Sequence, residues 1–183
     1  LLVYLDDTKK SYSFGLGLNA SYGSVKNATI DEDGSVQAIA NIAAVIVDED
    51  GVIVNCNLDC ADSNALFKYN GVAVEATEHL TKYEKGKDYN MVAYGGAKFE
   101  WFEQADAFEK ICIGKTIDEV KAFIAEDGKT SNEVIEAGCT IYVGDFIKSV
   151  EVAVNNAEST KASPDSTLEL GVVTSQENTD YSP

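Results

Sequence analysis

Residues 36–60 read VQAIANIAAVIVDEDGVIVNCNLDC, and this stretch decides the fold. Two apolar runs, 36–47 and 52–60, flank the tetrapeptide Asp48-Glu49-Asp50-Gly51. Gly51 supplies the positive φ that a hairpin turn needs, so the stretch predicts two antiparallel strands. Alternate residues of the second strand fall on opposite faces: Val52, Val54, Cys56, Leu58 and Cys60 on one, Asn55, Asn57 and Asp59 on the other. One face of the sheet is therefore expected to be exposed to solvent.

Two neighbouring segments extend the sheet. Residues 11–23 alternate with a period of two, which predicts a half-buried strand. Its two faces are Tyr12, Phe14, Leu16, Leu18, Ala20 and Tyr22, and Ser11, Ser13, Gly15, Gly17, Asn19 and Ser21. Asn70-Gly71, between LFKY and VAVEA, predicts another hairpin. Residues 1–5 are expected to pair with the 11–23 strand through a turn at 6–10.

The period changes to that of helices in the second half. KFEWFEQADAFEKIC (98–112) predicts a helix that ends at Gly114, and Thr116 with Glu119 predicts a capping box for the next one. A short helix is expected after Ser131, ended by Gly138. A brief strand at 140–143 and a helix at 145–157 follow. The sequence thus predicts an α+β fold, an antiparallel sheet in the N-terminal half packed by C-terminal helices.

The chain is expected to be one unit of a repeat protein. Residues 158–167 (ESTKASPDST) have the composition of a linker, and the 168–183 segment resumes strand alternation. A shift of 154 residues aligns Leu16 with Leu170, Gly17 with Gly171 and Ser21 with Ser175. We interpret 168–183 as the start of a following repeat, 11–157 as the repeat domain, and 1–10 as an extension or the end of a preceding unit. The alternative is that the last segment completes this domain's own sheet.

Composition limits the function classes. The 14 Lys and Arg residues against 31 Asp and Glu residues give a net charge of −17, which disfavours nucleic acid and anionic lipid as partners. No apolar run is long enough to span a membrane. Leu1 is not a start methionine, so the natural N-terminus is expected upstream. An acidic, well-dissolved chain of this kind suits an extracellular or cell-surface location.

Metal and catalytic signatures are weak. Cys56 and Cys60 are about 13 Å apart on a strand, so these thiols, like Cys112 on a helix stripe, are interpreted as core residues and no metal site is predicted. The acidic turns at 31–34 and 48–51 are read as hairpin turns, with a weak surface cation site as the alternative. The single histidine, His79, lies in a polar stretch and is expected to be a solvated loop residue. The sequence carries no enzyme signature, and we predict no turnover.

Two resemblances add to this reading. One run resembles a repeat of uncharacterised secreted lipoproteins of Gram-positive anaerobes, through Lys82, Tyr89, Met91, Gly96, Trp101, Glu103, Gln104 and Gly114-Lys115-Thr116. More distantly, residues 12–157 are similar in plan to the FMN-binding domain family. That family has an early strand, Asp-x-x-Gly turn, strand hairpin, matched at 36–60. It also has a Ser-Gly-Ala-Thr motif before a helix rich in alanine and valine, matched by Ala137-Gly138-Cys139-Thr140 and FIKSVEVAVNNA.

Only one residue of the flavin-bearing motif of the FMN-binding family is matched at the position that would carry the flavin. In flavinylated members the final threonine of the motif carries FMN through a phosphoester, and Thr140 matches that threonine. Ala137 and Cys139 depart from the motif, and Val134 stands where the family has an aspartate. No covalent cofactor is therefore expected.

Small-molecule binding is predicted between the sheet and the 98–112 helix. Tyr89, Met91, Trp101 and Gln104 combine aromatic walls with polar groups, the usual composition of a small-molecule pocket; the flavin version adds Thr140. The competing interpretation places Trp101 in the core and Gln104 in water. The predicted function is a non-catalytic ligand-binding or assembly module, with self-association through repeat edges; the alternative is an FMN-binding redox carrier.

Overall fold

The computed structural model describes residues 11–74, 80–125 and 128–175. Within them the chain is an α+β fold whose antiparallel sheet has the strand order β4-β3-β2-β1-β5. The strands are β1 (Tyr12–Lys26), β2 (Gly34–Asp48), β3 (Ile53–Phe67), β4 (Ala73–Val74) and β5 (Glu158–Thr160). The helices are α1 (Lys82–Lys85), a 3-10 turn (Gly86–Tyr89), α2 (Trp101–Cys112), α3 (Ile117–Lys121), α4 (Asn132–Glu136) and α5 (Gly144–Asn155). The predicted fold class is confirmed, while the predicted strand at 1–5 and the loop role of His79 lie outside the described residues.

Strands β1, β2 and β3 form an antiparallel meander through the predicted hairpins. At its centre Gly17 pairs with Ala43, and Ala43 pairs with Leu58. Gly51 has a φ of +77°, and the Asp48 carboxylate accepts the N–H groups of Asp50 (3.0 Å) and Val52 (2.9 Å). The acidic turn at 48–51 therefore uses its first carboxylate to close the hairpin, as expected for an Asx-type turn.

One face of the sheet, called the inner face below, carries the helices. Helix α5 packs on β1 and β2, and α2 packs on β3. Between them lies a continuous core, to which the strands contribute Ala43, Val45, Val47, Ile53, Cys56, Leu58 and Cys60. The helices contribute Trp101, Ala105, Phe108, Cys112, Phe146, Ile147, Val150 and Ala153. The predicted burial of Cys56, Cys60 and Cys112 is confirmed.

Strand β1 turns its glycine face, not its apolar face, toward the core. Gly15 and Gly17 are buried, whereas Leu16 is 52% exposed and Leu18 55% exposed. A Cβ built on Gly15 would overlap the carbonyl oxygen of Ala153, and one on Gly17 would overlap that of Ser149. The backbone of α5 thus approaches β1 so closely that only hydrogen atoms fit between them.

The predicted helix ends are confirmed, but one predicted strand is wrong. Thr116 and Glu119 form the expected capping box, and Gly114 and Gly138 have φ values of +84° and +104°. Residues 140–143, expected as a strand, form a loop before α5. The N–H groups of Thr140 and Ile141 donate to the side chain of Gln104 instead of to a neighbouring strand.

The segment predicted as a linker contributes to the sheet and then leaves it. Residues 158–160 form β5, which pairs with Tyr12–Phe14 of β1. Further along, the carbonyl of Ser166 accepts the Asn55 amide (3.0 Å), and the N–H of Leu170 donates to Asn57 (3.0 Å). Residues 168–175 form no strand. The tail therefore lies against the face opposite the helices, called the outer face below.

A partly buried carboxylate, that of Glu109, hydrogen bonds to the edge of β3. Glu109 of α2 accepts the N–H of Leu58 at 2.7 Å and lies 3.4 Å from the Asn57 amide nitrogen. Burial raises the pKa of Glu109 from 4.5 to about 7, against the lowering effect of the Leu58 N–H; Asp106 and Asp59 raise it further and Lys110 lowers it. Among the described residues no strand pairs with β3 at Leu58, and the N–H of Leu58 donates to the Glu109 carboxylate instead.

Candidate functional site

A cleft of 380 Å³ opens on the inner face, beside the N-terminal ends of α5 and α2. It is called the Asn41 cleft below. Its walls come from the sheet, from α1 and the turn after it, and from the segment leading into α5. The lining residues are Ile39, Asn41, Cys60, Lys82, Tyr89, Met91, Trp101, Ile141, Tyr142, Asp145 and Phe146.

Three of the five predicted site residues meet in this cleft. Tyr89, Met91 and Trp101 all line it. Trp101 is also a core residue, only 4% exposed, and its ring lies 5.8 Å from that of Phe146. The core interpretation of Trp101 is therefore confirmed, and the same side chain also lines the cleft; its role in ligand binding stays a prediction.

A buried carboxylate fixes the Met91 side of the cleft. Glu100, only 7% exposed, caps α2 and accepts the N–H groups of Met91 (2.9 Å) and Val92 (3.3 Å). Its own N–H donates to Glu103, which completes a reciprocal capping box. The wall thus rests on the N-terminus of a twelve-residue helix and is held in a defined position.

Gln104 is buried and hydrogen bonds to the loop that forms one wall of the cleft. It is 1% exposed, and its amide nitrogen donates to the Phe99 carbonyl at 2.9 Å. Its oxygen accepts the Thr140 N–H (2.8 Å), the Thr140 hydroxyl (2.9 Å) and the Ile141 N–H (3.2 Å). The interpretation that placed Gln104 in solvent is wrong, since this amide ties α2 to the loop that carries the cleft residue Ile141.

Thr140 does not join the other predicted residues. It is exposed, and it is absent from the residues that line the cleft. Its hydroxyl donates to Gln104. In this arrangement Thr140 holds the 138–143 loop against α2.

The charged groups around the cleft are paired. The Lys82 ammonium lies 3.2 Å from the Asp62 carboxylate and 5.1 Å from the centre of the Tyr89 ring. Burial opposes the charge of Lys82, but Cys60, Tyr89 and Asp62 outweigh it and raise the pKa of Lys82. Asp145 accepts hydrogen bonds from Lys148 (2.8 Å) and Asn19 (3.3 Å). Formal charge in and around the cleft therefore cancels.

Asn41 is the polar residue that sequence reasoning missed. It is 6% exposed, and its backbone carbonyl accepts the Ser149 hydroxyl at 2.8 Å. Among the described residues no group hydrogen bonds with its side-chain amide. The sequence did indicate a polar residue on the buried face, because Asn41 interrupts the apolar run 36–47 at a position that shares a face with Ala43 and Val45. The sequence did not place Lys82 or Asp145 at the cleft, since the contacts of Lys82 with Asp62 and of Asp145 with Asn19 join residues remote in sequence.

Comparisons of the chain with protein-family models, curated proteins and solved structures return no match. No helix in the described part of the chain is long and apolar enough to cross a membrane. Within the same residues, no three His, Cys, Asp or Glu side chains are grouped as a metal site would require. The geometry of the cleft is therefore the main guide to function.

Proposed function

We propose that the protein is a non-catalytic, extracellular or cell-surface module that binds a small molecule in the Asn41 cleft. The observation that carries the proposal is the unpartnered amide of Asn41 at the base of a cleft walled by Tyr89, Met91 and Trp101. The amide atoms of Asn41 keep contact with solvent in the free cleft, and a ligand that displaces this water gains affinity only if it supplies matching hydrogen bonds. The volume of 380 Å³ falls within the ~300–1,000 Å³ range of small-molecule sites.

The non-catalytic part of the proposal rests on the charged groups. A general base must be free to take a proton from its substrate. Lys82 is held by Asp62, and Asp145 is held by Lys148 and Asn19. Cys60 lines the cleft, but burial raises the pKa of its thiol to about 11, so it is a poor nucleophile at neutral pH. The acidic composition and the resemblance to secreted repeats support the extracellular part of the proposal.

The sole tryptophan of the chain makes binding easy to follow. Because Trp101 lines the cleft, a bound fragment should change its fluorescence, and a ligand-observed NMR screen of small polar aromatics should return hits. Ile39→Phe narrows the cleft, whereas Ile42→Phe adds the same bulk to the same strand on the outer face. We expect hits to bind the wild type and Ile42→Phe, and to lose at least tenfold in affinity with Ile39→Phe. Hits that ignore Ile39→Phe, or no hit at millimolar concentration, would refute the proposal.

The alternative, an FMN-binding redox carrier, has a separate test. Its support is the match of Thr140 to the flavin-bearing threonine of the similar family. Titration with FMN, followed by flavin fluorescence quenching, should give no binding at high micromolar concentration under our preferred proposal. Tight FMN binding that is lost in Thr140→Ala would establish the alternative. Because Thr140 also bonds to Gln104, Thr140→Ser serves as the control that keeps the hydroxyl.

Assembly is a second candidate function, favoured by the outer face. The β1 side chains that point away from the helices are exposed: Phe14, Leu16, Leu18 and Tyr22. Among the described residues no strand pairs with β1 beyond Phe14 on the side opposite β2, so an open edge adjoins this stripe. Open strand edges favour pairing with another chain. We expect concentration-dependent association in sedimentation experiments that Leu16→Lys abolishes and Leu66→Lys, on β3, does not; a monomer at all concentrations would rule this role out.

A further inference from the structure

We infer that the ligand of the Asn41 cleft is an uncharged planar heterocycle with a lactam edge, an N–H beside a C=O in the ring. The inference rests on the proposed binding function and specifies its ligand. Three properties of the cleft lead to it: the hydrogen-bonding capacity of Asn41, the aromatic walls and the distribution of charge.

Asn41 sets the hydrogen-bonding requirement. A primary amide offers a donor and an acceptor side by side in one plane. Asn41 is 6% exposed and lines the cleft, and among the described residues no group hydrogen bonds with its amide. A lactam edge presents the complementary acceptor and donor at the same spacing and satisfies both groups at once. Sites built on such pairs reject analogues that lack one member, because a buried group is then left unpaired.

The walls favour a flat ring. Four aromatic rings line the cleft: Tyr142 is exposed, Tyr89 is half-buried, and Trp101 and Phe146 are each 4% exposed. Tyr142 folds over the start of α5 in space left by the missing side chain of Gly144, where a Cβ would meet the Tyr142 ring. Aromatic walls stack on planar groups in offset or edge-on contacts worth about 0.5–1.5 kcal/mol each. The modest volume of 380 Å³ limits the ligand to one or two rings with a small substituent.

Charge excludes an anionic group on that ring. Lys82 is the one cation that lines the cleft within the described residues, and its ammonium is already engaged by Asp62 at 3.2 Å. Asp145 adds a carboxylate at the rim. The chain as a whole carries −17, which repels a phosphate before it arrives. A phosphorylated form of a ligand should therefore bind more weakly than its uncharged form.

Nucleosides with a lactam edge test each part of the inference. Uridine carries the edge on a one-ring base and inosine on a two-ring base. In 3-methyluridine and 1-methylinosine a methyl group blocks the N–H, and uridine monophosphate adds an anionic phosphate to the ribose. We expect uridine or inosine to change Trp101 fluorescence with a dissociation constant below about 1 mM. We expect binding at least tenfold weaker for the methylated form, for the phosphorylated form, and for the size-matched variant Asn41→Leu.

The outcomes separate this inference from the proposed function. If fragments bind in an Ile39→Phe-sensitive manner but neither nucleoside does, the ligand class is wrong and the binding function stands. Equal binding of methylated and unmethylated nucleosides, or tighter binding of the monophosphate, also overturns the ligand class. If neither nucleosides nor fragments bind, both proposals fail. Because the methylated and phosphorylated ligands are tested on the wild-type chain, these outcomes hold even if Asn41→Leu folds poorly.

Discussion

Strands β1 and β3 carry the same alternation in sequence, yet they turn opposite kinds of residue toward the core. In β3 the apolar set is inside, and Leu58 is only 1% exposed. In β1 the inside set is glycine and small polar residues, and Leu18 lies 55% exposed on the outer face. The two strands flank β2 in one sheet, so the difference does not arise from the sheet itself.

The difference arises from the helices that cover each strand. Helix α2 meets β3 through side chains, so Leu58 and its neighbours fill the space between them. Helix α5 meets β1 through its backbone, with the carbonyls of Ser149 and Ala153 against Gly17 and Gly15. Side-chain packing and backbone packing thus coexist on one inner face. A period of two therefore predicts a strand but not which of its faces is buried.

The largest effect is expected from filling the glycine face. Gly17→Val would force α5 away from β1, because the nearest atoms are helix backbone and no rotamer relieves the overlap. We expect a loss of about 3 kcal/mol or more in the free energy of unfolding, measured by urea denaturation. Gly171→Val is the control, since a Cβ there meets nothing within 4 Å, and it should change stability by less than about 0.5 kcal/mol. Equal effects at both positions would contradict the close approach.

Truncating a leucine on each strand should reproduce the difference between them. Leu58→Ala removes a buried side chain from the core and should cost about 3 kcal/mol. Leu18→Ala trims an exposed side chain and should cost less than about 1 kcal/mol. Thermal and urea unfolding of both variants measures the contrast. A loss at Leu18 as large as that at Leu58 would show that the apolar face of β1 is buried after all.

The carboxylate at the edge of β3 should also make the free energy of unfolding depend on pH. The pKa of Glu109 is raised from 4.5 to about 7, so burial disfavours its ionised form in the folded state. The stability that this group contributes is fully present below pH 4.5 and is lost as the pH rises through about 7. We expect Glu109→Gln, whose oxygen can still accept the Leu58 N–H, to match the wild type near pH 4. At pH 8 the variant should be more stable by about 2–3 kcal/mol.

The matched control is Glu136→Gln, an exposed carboxylate on α4. Unfolding free energies of all three chains across pH 4–8 measure the effect. The same pH profile for wild type and Glu109→Gln would show that Glu109 is well solvated when ionised.

Much of the fold was accessible from the sequence, because local rules govern it. The turns at Gly51 and Gly71, the capping box of Thr116 and the helix ends at Gly114 and Gly138 follow from backbone chemistry within a few residues. Features set by partners remote in sequence were not accessible. Whether residues 140–143 form a strand depends on Gln104, 36 residues away from Thr140, and the side chain of Gln104 was misplaced for the same reason.

The candidate site also combines features that local sequence predicts with features that it does not. That Tyr89, Met91 and Trp101 lie together could be predicted, because aromatic and thioether side chains cluster near the start of a helix. Asn41 was missed because its strand was recognised by its apolar residues, and one polar residue did not alter that pattern. The strand-forming pattern of residues 168–175 likewise did not reveal that they rest on Asn57 without pairing.

Removing the tail from the outer face is expected to lower the free energy of unfolding by a smaller amount. Ending the chain after Lys161 keeps β5 but removes the contacts of Ser166 and Leu170 with the two β3 asparagines. Two hydrogen bonds at about 1 kcal/mol each predict a loss of about 1–2 kcal/mol and a decrease of a few degrees in Tm. Asn57→Ala in the full chain, which also loses the contact with Glu109, should give part of the same loss. A loss well above 3 kcal/mol would make the tail an integral part of this domain.

The orientation of β1 can be measured directly by thiol labelling. The four native cysteines are at most 4% exposed, and burial raises the pKa of Cys60 to about 11 and of Cys139 to about 12, so the native chain should react slowly with a maleimide. Leu18→Cys places a thiol on the outer face of β1, and Ala43→Cys places one on the inner face of β2. We predict that Leu18→Cys takes up one equivalent within minutes under native conditions, while Ala43→Cys reacts no faster than wild type. Slow labelling of Leu18→Cys would contradict the inverted packing of β1.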